Sequence, residues 1–472
     1  MGALLQFPPL DSNSSIPLYR QLYANLRDAI KLGTLRTGDQ IPPSREMAYL
    51  AGVNRATVAA AYELLEADGL IRGHVGRGSF VQAPAPHTPA SGEPPIISFA
   101  TSRPSADLFP LIEFRETVQE VLASQDLPGL LQLGSPSGYA PLKSALGTLA
   151  SGVLRPADDL LVTSGCQQAL DLIARSLASP GDTVMVEDPV YLGLKNAMTN
   201  ARLRMIAMSA LENSLDDSLT RIERDRPRLV VVTPDFQNPT GRTLDEAGRR
   251  ALGEACARTG VPLVEIDLYR DLRYSGTAIP AIQELVPEAQ VLVLRSFSKI
   301  AFPGLRVGWV TGPRTLVARL TETKQWTDLH TDHFSQAVLL RFLETKRLER
   351  HRKRVVQAGA ICLKAAVDAC ERELPRGSVF TRPAGGMNLW VTLPRPIDAG
   401  AMLERAQRAG VSYMPGSYFA VEQAQSGSLR LSFAGLAPEL VTQGIGILGR
   451  VAAEELQRTR AQQLAPAAVA LV

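Results

Sequence analysis

The sequence predicts two folds joined in one chain: a small winged helix-turn-helix, then a large α/β domain on a mostly parallel sheet. Three observations carry this reading. Residues 16–82 show helical periodicity followed by a short Gly-rich extended pair. Residues 83–95 read APAPHTPASGEPP, a Pro, Ala and small-polar stretch without periodicity, the composition of a linker. Residues 96–455 alternate continuous Val, Leu and Ile runs with helical segments, as strands buried on both faces require.

Bulk properties agree and exclude some classes. A chain of 472 residues exceeds one ordinary core, so two or three domains are expected. The 45% hydrophobic and 21% charged content is that of a soluble globular protein. A formal net charge of +3 announces no nucleic-acid binder, so any DNA site must be local. Cys166, Cys256, Cys362 and Cys370 show no CxxC spacing, which argues against a zinc site or a disulfide framework and fits a reducing cytoplasm. The opening MGALLQFPPLDSNSS lacks the basic-then-apolar pattern of a signal peptide, and the tail AQQLAPAAVALV is too short to span a bilayer. No membrane partner and no metal are expected.

In the first part, Leu18, Leu22, Leu26 and Ile30 recur every four residues on one helix face, and Gly33 ends that helix. Ser44 is the expected N-cap of a short helix from Arg45 to Ala51. Gly52-Val53-Asn54 makes a tight turn. Asn54 then caps a longer helix to Asp68, with Val58, Tyr62 and Leu65 inward, and Gly69 stops it. Two strands, LIR (70–72) and SFV (79–81), joined by GHVGRG, complete a wing. In this motif the second helix enters the major groove with its first residues at the base edges, here Asn54, Arg55 and Thr57. Arg forks onto guanine, and Thr bonds a base or touches a thymine methyl. Ser44 and Arg45 open the preceding helix, where free amides suit a phosphate. His74 and Arg77 sit on the wing, within reach of a phosphate or the minor groove. Any one of these arginines alone reads as solvated surface. Their placement along one edge is the signal, with Glu63, Glu66 and Asp68 on the far half of the second helix.

In the large part, DLLVT (159–163), TVMVE (183–187), RLVVVTP (228–234), PLVEID (262–267) and VLVLRS (291–296) are the expected strands. Ligands gather at the carboxyl ends of such strands. The first is followed by TSGCQQAL, where Gly165 allows close backbone approach and the amides near Cys166 and Gln167 point at an anion. The second ends in EDPVY, and Tyr191 can stack on a ring. The third leads to DFQNPTG, where the Asn238 amide can bond a phenolic oxygen. The fourth ends in EIDLY, with Asp267 and Tyr269 pointing the same way. A buried strand-end carboxylate needs a partner, and a protonated pyridine nitrogen is one. The fifth opens RSFSKIAFPGLRVGW (295–309). A lysine beside other cations in a partly apolar cleft has a lowered pKa, and its neutral amine attacks a carbonyl, so an aldehyde cofactor would form an imine with Lys299. Ser296, Ser298 and Arg306 would hold an attached phosphate. Each motif alone has an ordinary structural reading; five in order do not.

With these motifs in view, S-F-S-K with Arg seven later, D-x-Y, N-P-T-G and the S-G-x-Q helix start resemble fold-type I pyridoxal-phosphate (PLP) aminotransferases. PLYRQLYANLRDAI and NRATVAAAYELLEADGLI resemble the GntR-type winged helix, and the fusion resembles the MocR subfamily of bacterial transcriptional regulators. The resemblance implies an aldimine at Lys299, with Asp267 on the pyridine nitrogen and Tyr269 and Asn238 on the ring oxygen. It implies Tyr191 on the ring face and Gly165, Cys166, Gln167, Ser296, Ser298 and Arg306 on the phosphate. Arg430, in LRLSFA, would grip an effector carboxylate. It further implies a domain-swapped homodimer on double-stranded promoter DNA, responding to an amino compound or to PLP itself. Three positions depart from the pattern: Leu133 where a tyrosine is usual, Asn238 where many regulators carry an aromatic, and Ser102 where glycine is frequent. The leading expectation is a PLP-dependent regulator. The alternatives are a working aminotransferase with a vestigial DNA-binding domain, and a DNA-bound scaffold that has lost PLP.

Overall fold

The computed structural model describes residues 10–11, 17–31, 34–35, 38–67, 70–74, 78–81, 96–149, 155–209 and 215–464. The chain divides into two compact units, Met1–Pro95 and Ile96–Val472. The stretch read as a linker, 83–95, lies outside the described residues, as do Gly33 and Gly69.

The first unit runs α1 (Leu18–Lys31), β1 (Gln40–Ile41), α2 (Ser44–Ala51), α3 (Arg55–Ala67), β2 (Ile71–His74) and β3 (Gly78–Val81). Leu22, Leu26 and Ile30 of α1 meet Val58, Ala61 and Leu65 of α3 in one core, closed by Ile71 and Val81. Each of these Leu, Ile and Val side chains contributes about 1.5–3 kcal/mol by leaving water. The sheet has three strands in the order β1-β3-β2, because Gln40–Ile41 pairs with Ser79 and Phe80. A two-residue strand carries no periodicity, so only two strands were legible. Ser44 is the first residue of α2 and not its cap: Pro43 takes that position without a side-chain bond, and its carbonyl accepts from the Met47 amide. Gly52 ends α2 at φ +66, a conformation that glycine adopts without strain. Asn54 caps α3 as its side-chain oxygen accepts from the Thr57 amide at 2.8 Å.

The second unit opens with β4 (Ile97–Ser98). Its main sheet comprises β5 (Asp158–Thr163), β6 (Thr183–Asp188), β7 (Arg204–Ser209), β8 (Leu229–Val232), β9 (Leu263–Ile266), β10 (Val291–Ser296) and β11 (Gly308–Pro313). The order is β5-β11-β10-β9-β8-β6-β7, and only β11 runs against its neighbours among the described strands. The five expected strands are present. RMIAMS and GWVTGP escaped notice because polar, Gly and Pro residues break their apolar runs. Alternation explains why the other runs read as continuous. Val184, Val186, Val264, Leu292 and Leu294 face one core, while Met185, Val230, Val232, Leu263, Val291 and Val293 face the other.

Next come β12 (Val379–Phe380), β13 (Asn388–Thr392), β14 (Val411–Ser412), β15 (Met414–Pro415) and β16 (Ser428–Ser432), four of which form a smaller antiparallel sheet in the order β12-β13-β16-β15. β14 instead pairs with β4. Phe99, Leu389, Leu431, Phe433 and Ile445 fill the core beneath these strands. The β4–β14 pair, with the Ser432 amide donating to the Phe99 carbonyl, leads residues 100–102 toward the carboxyl ends of the main sheet. Among the described residues no helix is long and apolar enough to cross a membrane, and no three His, Cys, Asp or Glu side chains are grouped to hold a metal. The four cysteines are free thiols.

Candidate functional site

Five strand ends converge. The turn after β10 carries Lys299, half-buried, whose Nζ donates to the Ser102 carbonyl at 2.8 Å and lies 5.6 Å from the centre of the Tyr269 ring. Burial first, then the charges of Arg430 and Arg306, hold its pKa down at about 8, against an opposing pull from Cys166. The turn is braced by Ser296. Its hydroxyl donates to the Val307 carbonyl and accepts from the Ser298 amide, so its hydrogen bonds are made inside the chain. For Ser296 to reach a phosphate, its hydroxyl would have to give up the bond to the Val307 carbonyl.

Asp267 follows β9, with its side chain only 2% exposed. Its Oδ2 accepts from Arg295 Nε at 2.9 Å and lies 2.6 Å from Arg295 Nη2. Its Oδ1 is buried and has no partner. Burial raises the carboxyl pKa, opposed by Arg295 and Arg270. Two residues on, the buried Tyr269 hydroxyl accepts from Asn238 Nδ2 at 3.3 Å. The Asn238 oxygen accepts from Arg430 Nη1 at 3.0 Å, and Arg430 Nη2 donates to the Ala100 carbonyl. Arg430 is itself buried, packs on the Phe419 ring, and leaves Nε unpartnered.

At the other end, α4 (Cys166–Leu177) starts just after β5. Gly165 caps it at φ +82 with no side-chain bond, so the first amides of the helix remain open. A Cβ on Gly165 would fall 2.5 Å from Arg306 Nη2 and push that guanidinium aside, and its φ of +82 favours glycine. Arg306 donates to the Ser164 carbonyl at 3.2 Å. Gln167 donates to the Gly193 carbonyl, and a Cβ on Gly193 would strike both Gln167 and the Tyr191 ring. Burial pushes the Cys166 thiol up to about 12, so it is not a nucleophile here. Tyr191 precedes the helix Leu192–Asn200, and burial lifts its phenol to about 12. Asp188 clasps the neighbouring loop by accepting from the amides of Val421, Glu422 and Gln423 at 2.8–3.0 Å. Sequence reasoning missed Arg295, Gly193, Phe419 and Asp188. Of these, Arg295 left a trace as the one charge in an apolar run, VLVLRS.

In the first unit, Arg45, Asn54 and Arg55 are exposed, and Ser44 and Thr57 are half-buried. Thr57 Oγ1 donates to Asn54 Oδ1 at 2.9 Å, which fixes both side chains at the start of α3. His74 belongs to β2, where only its backbone is described, and Arg77 lies outside the described residues.

Comparison with known proteins matches this layout. Residues 18–81 match the gntR family of bacterial regulatory proteins, and residues 94–448 match aminotransferase class I and II. The probable rhizopine catabolism regulatory protein MocR of Rhizobium meliloti is 28% identical, over 93% of this chain and 94% of its own length. The chain belongs to the MocR subfamily. The large unit of this MocR-type protein is also 33% identical to aromatic-amino-acid aminotransferase 1 of Thermococcus litoralis, over 77% of the chain and 89% of that protein. It superposes on LysN, the α-aminoadipate aminotransferase of Thermus thermophilus, complexed with N-(5'-phosphopyridoxyl)-L-leucine. That match has a TM-score of 0.72 and 33% identity, and covers 77% of this chain and 93% of that one. The large unit is thus a fold-type I aminotransferase domain, and the related aminotransferases are PLP-dependent.

The MocR-type site fits that cofactor on its own chemistry. An orphaned buried carboxylate oxygen at Asp267 needs a proton donor. An open helix start beside Arg306 suits a phosphate dianion. An amine depressed to about 8 lies with the same group of residues and suits an aldehyde.

Proposed function

We propose that this MocR-type protein is a transcriptional regulator that binds promoter DNA through its winged helix and senses PLP, or an amino compound joined to it, at Lys299. The observation that carries the reading is the fusion itself: a gntR-family head on a site whose lysine is kept partly neutral. When bound, PLP supplies an aldehyde carbon that joins reversibly to primary amines, and a ring that withdraws electrons from what is joined.

The chain's own residues would do the rest. Asp267 Oδ1 accepts the ring N–H. Tyr269 and Asn238 address the ring oxygen, and Tyr191 covers a ring face. The amides of Gly165, Cys166 and Gln167, with Ser298 and Arg306, hold the phosphate, while Ser296 braces their turn. Arg430 takes a carboxylate by exchanging the Ala100 carbonyl for it. An amine that displaces Lys299 frees Nζ to change its contact with Ser102. A ligand that prefers one arrangement of residues 100–102 shifts the population toward it. Arg55 and Thr57 would read bases, Asn54 would position them, and Ser44, Arg45, His74 and Arg77 would hold phosphates. A homodimer on repeated half-sites in the cytoplasm is part of the proposal. It is supported by the exposure of Leu131 and Leu133, 71% and 79%, on the large unit.

The test is footprinting on the DNA upstream of its own reading frame, with and without PLP and a panel of amines. Protection that changes with PLP or an amine in the wild type, and is fixed in Lys299→Ala, is the expected result. Protection indifferent to both in the wild type overturns the sensing role. A working aminotransferase is the second reading, favoured by the Tyr269–Asn238–Arg430 chain of hydrogen bonds. Many turnovers with an amino donor and a keto acid would establish it.

A further inference from the structure

The two oxygens of the Asp267 carboxylate are placed differently. Oδ2 accepts from Arg295 Nε at 2.9 Å and lies in ion-pair contact with Nη2 at 2.6 Å, while Oδ1 is buried and, like Nη2, has no hydrogen-bond partner. Arg295 is the penultimate residue of β10, fixed by its pairing with Trp309 of β11. A guanidinium keeps its charge at every relevant pH, so it acts on Asp267 as a permanent cation. Arg270, Asp235 and Glu265 are the other charges that face this carboxylate. Within the reading given above, Oδ1 holds the proton on the ring nitrogen of PLP. The negative charge of Asp267 favours that proton and the positive charge of Arg295 opposes it.

We infer that Arg295 is a positioning residue that pins Asp267 by one oxygen and weakens its hold on the ring-nitrogen proton, so that the site captures an amine and completes its conversion to a keto acid slowly. This rests on the proposed function and deepens it. In the slowed step Lys299 Nζ would take the proton from the amine-bearing carbon as that C–H bond breaks, and bound PLP would supply the acceptor for the electron pair left behind. A ring nitrogen that carries its proton less firmly accepts that pair less readily. Capture at the aldehyde carbon needs no such pair, so sensing is spared while turnover is damped.

The pair is open to test because a cavity of about 470 Å³, lined by Asp267, Arg270, Arg295, Trp309, Lys346 and Glu349, reaches it. The full chain is loaded with PLP carrying ¹⁵N in the ring, and the nitrogen signal is followed by NMR. Arg295→Met should move that signal toward the protonated position and raise its titration midpoint by about one unit, a tenfold change in the equilibrium. The half-reaction of the best amine in the panel should quicken by about tenfold. Arg295→Lys should keep the wild-type signal, and millimolar ethylguanidine should return Arg295→Ala toward it through the cavity. A signal unmoved in Arg295→Met, or moved toward the unprotonated position, overturns the inference. It leaves the proposed function standing if borohydride treatment of PLP-loaded wild type still attaches pyridoxyl to Lys299. A wild type that takes up no PLP overturns both.

Discussion

Lys299 shows how one side chain's chemistry is set by its surroundings. An ordinary lysine near 10.4 is neutral at pH 7 in roughly 0.04% of molecules; one near 8 is neutral in about a tenth. The rate of PLP capture should therefore rise about tenfold per pH unit up to pH 8 and then level off. Arg430→Met removes a cation that depresses the amine, so the levelling point should move to higher pH, as stopped-flow absorbance would record. Levelling at the same pH in both proteins would remove Arg430 from this role. For stability, the folded chain releases this proton near 8 and the unfolded chain near 10.5. The unfolded chain binds more protons between those values, so this group's contribution to stability rises with pH across that window. The candidate groups were legible in the sequence because their motifs lie at strand ends. The sequence concealed the occupation of Ser296 by the Val307 carbonyl, a contact between residues eleven apart that no local pattern encodes.

At the scale of elements, α3 presents Arg55 beside its Asn54 cap, while Arg45 opens α2. A base contact and a phosphate contact fail differently. Arg55→Ala should cost about 1–3 kcal/mol at the cognate site and relax specificity at one base position. Arg45→Ala should weaken all DNA alike and lower the salt slope by about 1. Gel retardation over a salt series separates the two, and identical behaviour would refute the division of labour. The helix Glu246–Thr259 anchors itself differently. Its Arg249 is fully buried, pairs with Asp235 at 3.0 Å, and donates to the carbonyls of Leu244, Pro280 and Pro234. Arg249→Met should destabilise the large unit by about 3 kcal/mol, read by urea unfolding, since those buried acceptors lose their donor. Long apolar strands were legible because both faces are buried. β1, β7 and β11 were not, since pairing with distant neighbours makes them strands.

At the scale of the whole molecule, the sequence divided the chain by composition, and the structure shows a separate core in each unit. The proposed homodimer would bury the part of the large unit where Leu131 and Leu133 stand in water. Leu131→Asp with Leu133→Asp should yield monomers in analytical ultracentrifugation and weaken promoter binding about a hundredfold, because two linked heads gain avidity that one lacks. A dimer that survives both changes would place the interface elsewhere. The distribution of indoles has a practical consequence. Of the three tryptophans, Trp326 is 82% exposed, Trp390 is buried, and Trp309 lines the cavity beside Arg295 and Asp267. Replacing Trp326 with Phe leaves the two sheltered fluorophores, one lining the same cavity as the Asp267 carboxylate. Quenching of that emission would then report ligand arrival in real time, with no dye attached.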